Sequence, residues 1–280
     1  MAEQSGTDER AAEGGRRRFV AIGDSFTEGV GDPHHRLPNG VRGWADRVAD
    51  RLARAEPGWE YANLAIRSKR LAQISAEQLL PALELRPTLV TLYAGGNDIL
   101  DLGTDMRTLI GDYERLVDAL ATTGASLVLF TGFDIPGLPA PRMFVKRNRV
   151  YNSAVRRIAR ERGAVLVDYW RMQAFRDTAM WAPDRMHLSK RGHRVLAAEV
   201  LDTLGVPHTI STGPWDAPEP LTPRELLRDQ YRWAHDWVLP LVGRKIRRVT
   251  LGDDLSPRWP EPVLVPPKGG LRRLARDAAS

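Results

Sequence analysis

Short apolar runs alternate with amphipathic stretches from residue 19 to residue 204, and no other feature restricts the fold as much. "FVAIG" at 19–23, "WEYANLA" at 59–65, "TLVTLYAGG" at 88–96, "ASLVLFTG" at 125–132 and "AVLVDY" at 164–169 read as five strands. Helical spacing fills the gaps. Val48, Leu52 and Ala55 share one face of 44–55, and Leu109, Tyr113, Leu116, Val117 and Leu120 form a stripe on 106–122. Further helices are expected at 71–85, interrupted or kinked near Pro81, at 146–162, closed by Gly163, and at 189–204. Strands that are apolar throughout and separated by helices predict an α/β fold, a doubly wound, five-stranded parallel sheet with helices on both faces. Ligands bind such sheets at the carboxyl ends of the strands. Ser25, Gly95 to Asp98 and Asp134 sit where strands one, three and four leave the sheet.

Past residue 205 the pattern changes to a proline-rich connector, a helix at 224–249 bent at Pro240, and the extended "PRWPEPVLVPPKGG". Leu227, Tyr231, Trp237 and Leu241 suggest that this segment packs back on the main domain. The expected organisation is a disordered segment at 1–16, one domain at 17–205, and a connector, helix and basic tail at 206–280. The formal charge is +6, and residues 222–280 carry 12 Lys or Arg against 7 Asp or Glu, so five of the six surplus charges lie there. No nucleic-acid module accompanies them, and a solvated basic surface accounts for them.

The chain has no cysteine, which excludes disulfides, thiolate metal sites and cysteine nucleophiles. It also lacks a His-Glu-x-x-His motif and a phosphate loop, so neither a metal nor a cofactor is expected. The start lacks the apolar stretch of a secretory signal, and no run approaches a membrane span. A cytoplasmic protein is the expectation.

Four stretches carry the polar chemistry: "GDSFTEG" around Ser25, "YANLAIRS" at 61–68, "YAGGNDIL" around Asn97, and "DRMHLSKRGH" around Asp184 and His187. A serine nucleophile needs a base within hydrogen-bond reach, an acceptor that orients the base, and donors for the developing oxyanion. In "DRMH" a single loop can place Asp184 and His187 on one side, the carboxylate fixing the imidazole tautomer. His187 also reads as a surface or capping residue, and His193 is the nearest rival as base. Gly95 and Gly96 allow a sharp turn after the third strand, and Asn97 offers an uncharged N–H donor, although from this stretch alone an Asx turn capping the next helix is the commoner role. His34 and His35 are adjacent, which points their side chains apart in an extended chain, within a long loop placed to overhang the site.

"GDSF" near the start, "NLA" after the second strand, "GGND" after the third and "DRMH" near the domain's end resemble, in order, the sequence blocks of the SGNH hydrolase superfamily, also called GDSL esterases and lipases. The resemblance covers residues 19 to about 205. It implies Ser25 as nucleophile, His187 as general base and Asp184 as its orienter. The oxyanion donors it implies are the N–H of Ser25, the N–H of Ala65 at a position usually held by glycine, and the side-chain amide of Asn97. Asp24 and Gly96 are read as supporting residues, and Phe26 replaces the leucine of the family's name. The implied activity is ester hydrolysis through an acyl-enzyme, of the esterase, lipase or deacetylase type, on a small-molecule substrate. An acyltransferase using the same acyl-enzyme and a non-enzymatic scaffold with a basic tail are the competing functions.

Overall fold

The computed structural model describes residues 17–133, 142–213, 222–247 and 249–278. Asp134 and residues 1–16 lie outside them. Strands β1 (Arg17–Gly23), β2 (Trp59–Asn63), β3 (Leu89–Tyr93), β4 (Ser126–Phe130) and β5 (Val165–Val167) are all parallel. Each continuous apolar run serves two cores. Phe19 and Ala21 point to one face and Val20 and Ile22 to the other, and all four are fully buried.

Helix α1 (Ser25–Glu28) leaves β1, and α2 (Trp44–Ala55) places Trp44, Val48 and Leu52 on the Phe19 face. Helix α3 (Leu71–Glu84) runs through Pro81 on the opposite face, where Leu71 and Ile74 are buried. Helix α4 (Gly96–Ile99) is the single turn after β3, and α5 (Met106–Ala121) supplies the stripe from Leu109 to Leu120. Helices α6 (Arg142–Glu161) and α7 (Lys190–Thr203) complete the two layers.

The sheet order is β5-β4-β3-β1-β2-β6, so it has six strands rather than the five expected. The sixth, β6 (Trp259–Leu264), comes from the C-terminal segment and pairs antiparallel with β2. Between α7 and β6 the chain forms α8 (Pro223–Trp233), a π turn at Ala234–Val238 and α9 (Leu239–Arg247). The irregularity expected at Pro240 thus falls one turn earlier, where the helix widens to absorb the missing N–H. Three of the apolar positions named for this helix do not pack inward as expected: Leu227 is 73%, Tyr231 71% and Trp237 39% exposed, while the Leu241 side chain lies outside the described ones. Burial comes instead from the tail beyond it, through Arg258, Val265 and Leu271, the last in α10 (Gly270–Asp277).

β1 is central, with β2 and β3 as parallel neighbours, and the chain crosses from one side to the other there. A crevice opens at such a switch point, outside the carboxyl ends of the strands. The polar stretches after β1, β2 and β3 meet in it.

Candidate active site

β1 ends at Gly23, whose φ is +146° and where a Cβ would collide with the Tyr93 carbonyl. Only glycine fits that turn. Asp24 caps α1, its Oδ1 accepting the Phe26 N–H at 3.1 Å, and Ser25 becomes the first helical residue. Phe26 stacks on Tyr93 at 3.9 Å between ring centroids, and its carbonyl accepts the Trp44 indole N–H at 3.0 Å, so an aromatic layer fixes the turn from below.

The loop before α7 brings His187 to Ser25. His187 Nε2 lies 2.9 Å from Ser25 Oγ, and its Nδ1 lies 2.5 Å from Asp184 Oδ2. Asp184 Oδ1 accepts the N–H groups of Met186 at 2.9 Å and His187 at 3.0 Å. Burial works to raise the Asp184 pKa, yet the hydrogen bonds from the His187 ring and the two backbone N–H groups hold it below the ordinary carboxylate value. An ionised Asp184 accepts the Nδ1 proton, which leaves the Nε2 lone pair for the Ser25 hydroxyl to donate to. Such a pair can pass the serine proton to the ring as the oxygen attacks an electrophile.

His193 is elsewhere. Its Nδ1 accepts the Trp44 N–H at 3.2 Å, its Nε2 faces the Val30 carbonyl at 3.0 Å, and complete burial lowers its pKa to about 3. Both ring nitrogens are committed, and this histidine holds α2 to the loop after α1. His34 and His35 also differ from expectation. Their rings stack rather than diverge, because the loop folds back on itself through a Pro33–Val41 bridge.

Asn97 lies in the first turn of α4. Its Nδ2 donates to Lys69 O at 3.0 Å and, over a longer 3.3 Å, to Asp24 Oδ2. No side chain caps α4, so the Asx-turn role is not taken. Of the two preceding glycines, Gly95 has φ +89° and a Cβ there would strike the Tyr151 hydroxyl, whereas Gly96 has room for one. Asp98, given no role in the sequence reading, accepts the Leu71 N–H at 2.9 Å and ties the 67–70 segment to the end of β3.

The Ala65 N–H, expected to face the oxyanion, is donated to Asn63 Oδ1 at 3.0 Å, and Ala65 is wholly buried. No left-handed conformation is required of it. The residue with positive φ in this segment is Ser68, at +67°, next to the Lys69 carbonyl that Asn97 contacts.

A buried polar chain supports the site from behind. Asn63 Nδ2 donates to Thr27 O at 3.2 Å and to the Tyr61 hydroxyl at 2.9 Å, which donates to Asp46 Oδ1 at 3.1 Å. Asp46 Oδ2 accepts from Arg258 at 2.7 Å. Arg258 also donates to the carbonyls of Glu28 at 2.9 Å, Pro38 at 3.0 Å and Val41 at 2.6 Å. It stands more than 200 residues along the chain from these partners, among prolines, and nothing local in the sequence marks it. Asp24 has a conflict of its own, since burial lifts its carboxyl pKa to about 7. Among the described residues no group of three or more His, Cys, Asp or Glu is arranged to hold a metal ion.

A serine at the tip of β1, a histidine and aspartate in a late loop, and an asparagine after β3 thus gather at one edge of a mostly parallel α/β sheet. The chain belongs to the GDSL-like lipase/acylhydrolase family, whose model matches residues 21–195. Among solved structures it is similar to a catalytic mutant of Axe2, an acetylxylan esterase from Geobacillus stearothermophilus, with 22% identity and a TM-score of 0.57 over 68% of this chain and 95% of that one. It is also similar to TesA, at 22% identity and a TM-score of 0.54 over 67% of this chain and 98% of that one. A third is LAE5, an alpha/beta hydrolase from the metagenome of Lake Arreo, Spain, with 24% identity and a TM-score of 0.57 over 69% and 97%. These are likenesses of fold. No curated protein matches the chain in sequence.

Proposed function

We propose that this protein hydrolyses small carboxylic esters through an acyl-enzyme on Ser25, with His187 as general base and acid and Asp184 as its orienter. The observation that carries the reading is the continuous path from Asp184 Oδ2 through His187 to Ser25 Oγ, at 2.5 and 2.9 Å. Ser25 Oγ bonds to the ester carbonyl carbon while its proton passes to His187 Nε2. The tetrahedral intermediate then collapses, the C–O bond to the alcohol breaks, and His187 returns the proton to the leaving oxygen. Water repeats the sequence on the acyl group and frees the acid and Ser25.

Charge on the carbonyl oxygen needs fixed donors. The Ser25 N–H at the start of α1 and the Asn97 amide supply two, the latter by giving up its longer bond to Asp24. For the third we take the Ser68 N–H instead of that of Ala65: the Ala65 proton is already held by Asn63, and Ser68 is the residue of this segment with a positive φ. Short acyl groups, acetyl first, are the substrates to try, and the similarity in fold to an acetylxylan esterase supports that choice.

A series of nitrophenyl esters of graded acyl length tests the reading. Wild type should turn over the shortest esters, Ser25→Ala should lose about 10⁴-fold or more, and Asn97→Ala about 10²–10³-fold in kcat with an unchanged melting temperature. Equal rates for wild type and Ser25→Ala on every ester would remove the reading.

A further inference from the structure

The 223–247 helix is long, amphipathic and almost without partners. None of the residues in α8 or the π turn is buried. Its attachment is narrow: Asp229 pairs with Arg185, Gln230 accepts from Arg185 at 3.0 Å, and the Trp233 indole N–H donates to Asp184 O at 3.0 Å beneath the Arg185 guanidinium. The segment after the helix returns to the other rim of the site, where Gly252 presses against the Arg67 carbonyl and Ile66. The first half of the helix and the segment that follows it are therefore tied to loops beside the site.

Its outward face is apolar. Leu226, Leu227, Tyr231 and Leu239 are 49%, 73%, 71% and 63% exposed. Residues four apart overshoot an α-helical turn, so a stripe spaced 227, 231, 235 and 239 drifts around an ordinary helix. The wider π turn at 234–238 takes up part of that drift, and the Tyr231 and His235 rings stack along the stripe. Beside it stand Arg224, Arg228 and Arg232, exposed and, among the described residues, without ion-pair partners. Residues 223–248 contain seven Lys or Arg against three Asp or Glu, a surplus of four.

Exposed leucines and a tyrosine flanked by arginines match the boundary of an anionic bilayer, with the apolar face among the acyl chains and the guanidinium groups at the headgroups. A second copy of this chain would carry the same positive charge and meet it with repulsion. No helix among the described residues is long and apolar enough to cross a membrane, so the element lies on the surface rather than spanning it.

We propose that the 223–247 helix docks this protein on an anionic lipid surface and holds the mouth of the site against it. Docking stands on the helix alone. That an ester is then drawn from the lipid–water boundary rests on the proposed hydrolase activity of Ser25.

Co-sedimentation with vesicles of phosphatidylcholine, with and without phosphatidylglycerol, tests it on the full chain. Wild type and Ser25→Ala should both bind the anionic vesicles, the binding should fall with salt, and neither should bind phosphatidylcholine alone comparably. Leu227→Asp/Tyr231→Asp should weaken binding at least ten-fold, with the rate on a water-soluble ester and the circular dichroism spectrum unchanged, since both side chains face solvent. Arg228→Glu/Arg232→Glu should do the same. Absence of binding, binding that neither double variant reduces, or a concentration-dependent dimer abolished by Leu227→Asp/Tyr231→Asp would each overturn the proposal. Because Ser25→Ala is expected to bind, loss of the hydrolase reading leaves this result standing.

Discussion

At Asp24 two demands pull the protonation state in opposite directions. Capping α1 and accepting from Asn97 favour the carboxylate, whereas burial to 3% exposure opposes charge and lifts the pKa to about 7. In the unfolded chain the group ionises near 3.8. Between these values the native state holds a proton that the unfolded state has released, so stability falls as pH rises through the window and levels off above 7. Asp24→Asn keeps the cap and removes the titration. The unfolding free energy of the variant minus that of wild type should grow by about 3 kcal/mol from pH 4 to pH 7, read from urea melts at each pH. A constant difference would mean that Asp24 ionises as freely in the fold as outside it. The sequence pointed to Ser25 and Asn97 at strand ends, since each follows an apolar run, and to Asp184 and His187 in one loop just before a helix. Its expectation that the Ala65 N–H is an oxyanion donor had no way to register that the Asn63 side chain captures that proton or that Ser68, not Ala65, takes the left-handed conformation.

Among the elements, β1 to β5 were legible for a physical reason: both faces are buried, so each reads as an uninterrupted apolar run. β6 was not, because it is an edge strand with half its residues turned to solvent and with prolines at 260 and 262. The Val265 N–H donates to Trp59 O, so odd-numbered residues face β2 and both prolines turn their missing donors outward. That arrangement permits one partner and refuses another. The loop from 28 to 42 is held the same way, by a residue from far along the chain. Arg258 reaches four acceptors from a fully buried guanidinium, three of them carbonyls of that loop and its start. Arg258→Ala leaves the Asp46 carboxylate buried and unpaired, which should cost about 3–5 kcal/mol. Arg258→Lys should recover only part of it, because one ammonium cannot span the fork. Amide exchange over 29–42 should quicken in both variants. Unchanged protection there would show that the loop holds itself.

On the scale of the whole molecule, the family match ends at residue 195, and the Axe2, TesA and LAE5 structures cover 67–69% of this chain. The C-terminal tail is nonetheless built into the domain. Val265 and Leu271 are fully buried, the Leu271 N–H donates to Asp50 at 2.8 Å, and β6 closes the β2 edge. An exposed helix is thus suspended between two well-anchored points, the Arg185 loop before it and the 252–264 segment after it. The two parts should respond differently to truncation. Ending the chain after residue 249 removes β6, Arg258 and both buried apolar residues, and it uncovers a parallel edge at Trp59–Asn63. The product should melt well below the full chain and self-associate through that edge, as seen by light scattering. Ending it after residue 267 keeps β6 and Arg258 and loses only α10, so it should stay monomeric and lose a few kcal/mol, roughly the burial of Leu271 and its neighbours. If the shorter product were monomeric and melted with the full chain, the tail would be an ornament on a complete sheet. The anchoring of the helix beside the site would then need another cause.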